Sequence, residues 1–553
     1  MPQTHLLSPL SRLPIRNIAF GVACTSLALA CTREYPLGDL TRRNLPLGDE
    51  TATAASGRTL PDGTVSPLLG APDVTFGLDD IWSDPNPTDI TSVGDLDGDG
   101  LSDLAVFASD ADTGVTYVQI RYGVPRPADA TQAFAYGQSG AYLIEESGGS
   151  APGIVIAAGD VDGDGYDDML IDTGHCSQSQ PWEGTYLVYG GPERLSGAQP
   201  LSTAGVNFSV VARGGAEPSG GYTCGALNSF VSGDFDGDGF SDLVFVNPPV
   251  IGATIDGKPV PDDFENGGLY LFYGRSQRFA SGTSWTDADA HLTTSGNVLA
   301  VPALDANGDG LADLIIGSFL YERPQSPTYW LPGSSKRLSG TLALATHATE
   351  LPGAQPYAFG YASPSPIGDL DGDGFADVLL MDENAQAYLF YGSPSLFQNG
   401  IDLGAAAAVF PLDPRAGSQA FSAPFSIIPA GDRDGDGDSE LALLFSVPGA
   451  GAARVQSNVV LLSGQRQRLS GTVSFPIDEL LAEDPAPRFD PATDRYLTNV
   501  FPAGDLDGDG AADLFTVSEE YVSEDGGYTM TAPQLHIHYG TPVAAARASD
   551  TPR

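Results

Sequence analysis

The residues best equipped for chemistry in this chain are aspartates set two apart. In "GDLDGDGLSD", residues 94–103, acids stand at Asp95, Asp97, Asp99 and Asp103, positions 1, 3, 5 and 9 of a short loop. Gly100 holds position 6. Acids at alternate positions of a tight loop turn their carboxylates to one side. Glycine at position 6 permits the left-handed bend, and the carbonyl of position 7 adds another oxygen. Such a set suits a hard divalent cation, and calcium takes about 6–8 oxygens at roughly 2.3–2.6 Å. Without an ion the carboxylates repel and raise one another's pKa. A solvated Asp-Gly turn is the plain alternative for a single loop of this kind.

The loop, however, occurs seven times. The further copies are Asp160, Asp162, Asp164 and Asp168; Asp234, Asp236, Asp238 and Asp242; Asp305, Asn307, Asp309 and Asp313; Asp369, Asp371, Asp373 and Asp377; Asp432, Asp434, Asp436 and Glu440; and Asp505, Asp507, Asp509 and Asp513. An acid at position 9 in every copy argues against a mere turn. The expected occupant is calcium, about one per copy. Magnesium suits an all-protein cage less well, and zinc would want grouped His and Cys. Copy four, with Asn307, loses a charge and is expected to bind more weakly. The longer Glu440 of copy six is expected to change how that ligand engages the ion.

The segments that must position these loops also repeat. A small apolar run precedes each loop, as in "IVIAAGD" and "NSFVSGD", and a second follows it, as in "LAVFA" and "LVFVN". A third, alternating, ends in Tyr-Gly or a relative, as in "TYLVYGG" and "LYLFYGR". "RLSG" then stands at Arg194, Arg337 and Arg468, with "RFASG" at Arg278. A weaker fourth run follows, such as "NFSVVAR" after copy two and "GTVSFPI" after copy six. Each unit therefore predicts four short strands. No crossover segment is visible within a unit, so antiparallel pairing is expected. Four-stranded units repeated radially make a β-propeller, an all-β fold that hides most of its sheet edges. Seven units predict seven blades. The last unit lacks its fourth strand, and "DVTFGL", Asp73 to Leu78, is predicted to supply it.

The chain of 553 residues carries 71 acidic and 25 basic residues, for a formal net charge of -46. That balance excludes nucleic acid and anionic lipid surfaces as partners. The first thirty residues differ. Arg12 and Arg16 precede the apolar run "IAFGVACTSLALAC", and no acid occurs before Glu34. The run is too short to span a bilayer and suits an export signal. Its end, "LALAC", resembles a bacterial lipoprotein signal, which implies lipidation of Cys31 and a membrane attachment through that anchor alone. The expected organisation is a signal over residues 1–30, a flexible Thr/Pro/Gly-rich tether over 31–70, the propeller over 71–545, and a disordered tail over 546–553. Cys176 and Cys224 remain, as a disulfide or as two buried thiols.

The pattern "F-G … G-D-x-D-G-D-G-x-x-D", best seen in "AFGYASPSPIGDLDGDGFADVLLM" (Ala358 to Met381), resembles the FG-GAP repeat of the integrin α-subunit β-propeller and its bacterial VCBS-type relatives. The resemblance implies that each ion loop joins the first two strands of a blade on the lower face. It also implies that Cys176 and Cys224 meet at the upper rim of neighbouring blades, where a disulfide is plausible in an oxidising compartment. The function it suggests is a calcium-binding module at the cell envelope or surface, or a secreted one, adhering to a protein or glycan. A propeller-fold enzyme acting on polysaccharides and a structural envelope subunit are the alternatives. No Gly-x-Ser-x-Gly elbow, HExxH or phosphate loop is present, and His536 and His538 share one strand face.

Overall fold

The computed structural model describes residues 51–52, 74–77 and most of 90–542. The chain forms seven β-sheets arranged as the blades of a propeller, with two small two-stranded ribbons beside them. Blade one is Ile90–Gly94, Asp103–Ser109, Thr116–Arg121 and Ala141–Ile144, each antiparallel to the next. The first two strands of each of blades one, two, three, four, six and seven are joined by an acidic loop, as in Ile154–Gly159 and Asp168–Asp172 of blade two. First strands of neighbouring blades lie side by side, so they line the centre of the ring.

The core lies between blades and not within any one of them. Side chains alternate across a strand, so each blade offers one apolar face to either neighbour. In the second strand of blade one, Leu104 and Val106 pack with Phe501, Phe515 and Ile537 of blade seven. Ala105 between them faces Val155, Met169 and Ile171 of blade two. A one-residue slip would exchange these two cores. The blade three to blade four interface follows the same rule, joining Val244 and Leu271 to Leu314 and Leu331.

A second layer of cohesion runs through the loops. The backbone N–H at position 8 of each loop donates to the position 1 carbonyl of the loop before it. The bonds run from Asp167 to Asp95 (3.0 Å), Ser241 to Asp160 (2.8 Å), Ala312 to Asp234 (2.8 Å), Ala376 to Asp305 (3.1 Å), Ser439 to Asp369 (2.6 Å) and Ala512 to Asp432 (2.6 Å). Ser102 of blade one donates in the same way to Asp505 of blade seven, at 2.8 Å. Glycine at position 4 makes this approach possible. A Cβ on Gly98, at φ +76°, would come within 2.6 Å of the Tyr166 ring in the next blade.

In blade seven, Gln534–His538 pairs antiparallel with Val74–Gly77, and Thr51–Ala52, within the segment read as a tether, pairs in turn with Val74–Gly77. His536 and His538 are buried, their Nε2 atoms 2.6 Å from Ser518 Oγ and 3.1 Å from Thr516 Oγ1.

The structure corrects the expectation of purely antiparallel four-stranded blades. Blades one, two, three and five each gain a short outermost strand that runs parallel and comes from the following repeat. Gly197–Pro200 joins Ala141–Ile144, Thr283–Ser284 joins Val206–Ser209, Gly340–Ala343 joins Ala290–Thr293, and Gly471–Thr472 joins Ala408–Pro411. The step from one blade to the next provides the crossover that a parallel pair needs. "GTVSFPI" therefore starts on blade five, and blade six has three strands among the described residues, Ser426–Gly431, Glu440–Pro448 and Val455–Leu462. In blade five the first-strand place is taken by Gln355–Pro356, and much of the Phe-Gly segment that follows lies outside the described residues. Cys31, Cys176, the signal segment and the tail at 546–553 lie outside them as well. Cys224 ends a ribbon strand, Tyr222–Cys224, that pairs with Arg213–Ala216.

Candidate metal centres

Each loop is built around the carboxylate at position 1. In blade one, Asp95 Oδ1 accepts from the N–H of Gly98 at 2.7 Å and Oδ2 from that of Gly100 at 2.8 Å. The bend needs Gly100 at φ +87°. Asp160, Asp234, Asp305, Asp369 and Asp505 accept the corresponding pairs, and Asp432 accepts from Gly437 at 2.9 Å. The wrap brings the side chains together. Acid oxygens lie within 4.8 Å of one another in the groups Asp95, Asp97, Asp99; Asp160, Asp162, Asp168; Asp234, Asp236, Asp242; Asp369, Asp371, Asp377; and Asp432, Asp434, Glu440.

The acid at position 9 does more than its residue type announces. Asp103 is fully buried, and its two oxygens staple two parts of the blade. Oδ2 accepts from Leu96 N–H in the loop at 2.8 Å, and Oδ1 from Gly123 N–H after the third strand at 2.7 Å. Every blade repeats the staple through Asp168, Asp242, Asp313, Asp377, Glu440 and Asp513. The glycine of Tyr-Gly is thus the second anchor of the site. Burial raises these carboxyls, against the lowering effect of their N–H donors: Asp103, Asp242, Asp313, Asp377 and Glu440 to about 7, and Asp168 and Asp513 to about 8. A cation would hold them ionised instead.

The donor sets fit a hard cation. They are all oxygen, concentrated in one bend, with no grouped His or Cys. Asp371 is buried, and its Oδ1 has no hydrogen-bond partner, an orphaned oxygen inside one of the acid groups. Copy four has an amide at position 3, Asn307. Its Oδ1 accepts from Asp309 N–H at 3.0 Å, while its Nδ2 donates to Asp313 Oδ1 at 3.2 Å.

The arginines of "RLSG" and "RFASG" had no assigned role in the sequence, and the structure gives them one. Each reaches back to the loop of the preceding blade and joins the acids at positions 3 and 5. Arg194 joins Asp97 and Asp99, Arg278 joins Asp162 and Asp164, Arg337 joins Asp236 and Asp238, and Arg468 joins Asp371 and Asp373. Each guanidinium also lies 4.4–4.8 Å from the ring centre of that blade's Tyr-Gly tyrosine, Tyr122, Tyr189, Tyr273 or Tyr391. The residue after each arginine donates its N–H to the tyrosine hydroxyl, at 2.7–2.9 Å. The available signal was the fixed five-residue step from the residue before the glycine to the arginine, as from Tyr189 to Arg194.

Fold and loops define the class: a seven-bladed β-propeller with an acidic loop in every blade. In the comparisons, residues 89–120 match the FG-GAP repeat. The chain is similar to integrin alpha-E of Mus musculus, 26% identical over 185 residues, which are 31% of this chain and 14% of that protein. It thus spans a small part of that relative's length. Among solved structures, the exotype rhamnogalacturonan lyase YesX aligns at 12% identity over 85% of this chain and 72% of its own, with a TM-score of 0.28. Rhamnogalacturonan lyase YesW aligns at 12% over 90% and 91%, with a TM-score of 0.27.

Proposed function

We propose that this propeller is a calcium-dependent binding module, displayed outside the cell and anchored through Cys31, that adheres to a protein or glycan. The observation that carries the calcium reading is the buried Oδ1 of Asp371, an acid oxygen without a hydrogen-bond partner inside a group of three acids. Asp95, Asp97, Asp99 and Asp103, and their counterparts in each copy, would hold the ion. It would draw the two ends of the loop together beneath the blade interface. The pairing of Val74–Gly77 with Gln534–His538 supports a ring latched by its two ends, which keeps seven loops in register. The likeness to an integrin alpha chain supports adhesion over catalysis.

A glycan and matrix-protein binding array, run in calcium and again in chelator, tests the reading. Calcium-dependent retention on a discrete set of ligands is expected. Turnover of polysaccharides with no retained ligand would replace adhesion with catalysis. Among the described residues, no helix is long and apolar enough to cross a membrane.

A further inference from the structure

Blades one to five share one charge balance at loop positions 1, 3 and 5, and they reach it in two ways. In blades one, two, three and five, positions 1, 3 and 5 are all aspartate, and an arginine from the next blade sits on positions 3 and 5. Three carboxylates and one guanidinium leave two negative charges. Blade four has Asp305, Asn307 and Asp309, also two negative charges. At the place where its arginine would come from, the following repeat has Leu396, buried against Trp330 and Phe397. The tyrosine place is Pro332. Charge, clamp and stacking partner have all changed together, and Asn307 Nδ2 donates within its own loop, to Asp313 at position 9.

We propose that the arginine is a built-in counter-charge: an interblade clamp that holds the acidic loop together without a divalent ion, at the expense of that loop's affinity for one. The inference rests on the calcium reading above. The position 3 acids are buried, Asp97 at 4% and Asp236 at 2% side-chain exposure, and a buried carboxylate is costly unless paired. The clamp pairs it, and it also crosses the blade boundary. Each arginine is carried in the segment that leads to the parallel outer strand of the preceding blade, so ion site and interblade seam share one residue. A positive charge at this range opposes a divalent ion by about tenfold in affinity even in a water-like medium. Blade four reaches the same net charge without a clamp. Asn307 is therefore a compensated position and not a weakened one, and its loop takes calcium as readily as the clamped loops.

The test is thermal melting and calcium titration of the full chain and of two single variants. Arg468→Met keeps the side-chain stem on Tyr391 and removes the charge. In EDTA it should melt below wild type, and calcium should raise its melting temperature by more, with one site tightened about tenfold. Asn307→Asp adds a charge that no arginine meets, and it should show the same two shifts. An unchanged melting temperature in EDTA for both variants, or a smaller calcium response for Arg468→Met, overturns the proposal, the latter because arginine would then be positioning the ligands. Wild-type protein with no calcium response at all overturns the calcium reading itself, and is distinguished from failure of the clamp by that unaltered wild-type melt.

Discussion

Blade four and its clamped neighbours build the same loop with different partners. In blade three, Asp236 and Asp238 answer to Arg337, which is carried by blade four, stacks on Tyr273 and lies across the seam. In blade four itself, Asn307 bonds within its own loop, and the seam beyond it is apolar, with Leu396 and Phe397 against Trp330. Both seams have an apolar core; at the first it is supplemented by charge and stacking, at the second by further burial. The two backbones nonetheless agree in the bonds at positions 1, 4, 6 and 9. What the loop must keep is its backbone wrap and its position 9 staple, and what it can exchange is the source of its counter-charge.

The largest effect is expected at the staple, which both kinds of blade share. Asp103→Ala in a clamped blade and Asp313→Ala in blade four each leave two buried N–H groups unpaired, and each should cost about 2–5 kcal/mol in denaturant melts. A loss in one blade only would break the equivalence of the two loop types. Next comes ion removal. Chelation should lower the melting temperature of wild-type protein strongly, since a ligand that binds only the native state stabilises it by linkage. No shift would count against every loop at once.

A pH series in chelator sharpens the comparison further. The position 9 carboxyls keep their protons to about pH 7 to 8 in the folded, ion-free protein, but lose them near 4 when unfolded. The folded state binds more protons across that window. Without ions, stability should therefore fall as pH rises from about 4 to about 8. With calcium, which needs ionised ligands, the calcium-induced gain should grow over the same range. Asp371→Ala, which removes the arginine's partner and the orphaned oxygen, should reduce the calcium response more than Asn307→Ala does. The smallest effect is expected for Tyr391→Phe, which loses the 2.7 Å bond from Leu469 N–H, about 1 kcal/mol, while blade four has no counterpart to lose.

Much of this was readable from the chain because it is local and periodic. Loop, flanking strands and Tyr-Gly or a relative recur within each unit, and the alternation in "LAVFA" already places Leu104 and Ala105 on opposite faces. The rest depends on contacts between units. Arg194 meets Asp97 across 97 residues and Arg468 meets Asp371 across 97, so neither pairing is visible within a repeat. For the same reason the parallel outer strands were missed, since Gly197–Pro200 joins a strand of the previous unit. Position 9 was recognised as an acid but not as a staple, because its partners are backbone N–H groups that any residue could provide.

Calcium counting by equilibrium dialysis of the purified protein, in millimolar calcium with metal analysis of the retained protein, tests the central claim most directly. About one ion per blade is expected, blade four included, with the count falling by one in Asp305→Ala as it does in Asp369→Ala. Protein that retains no calcium would contradict the account.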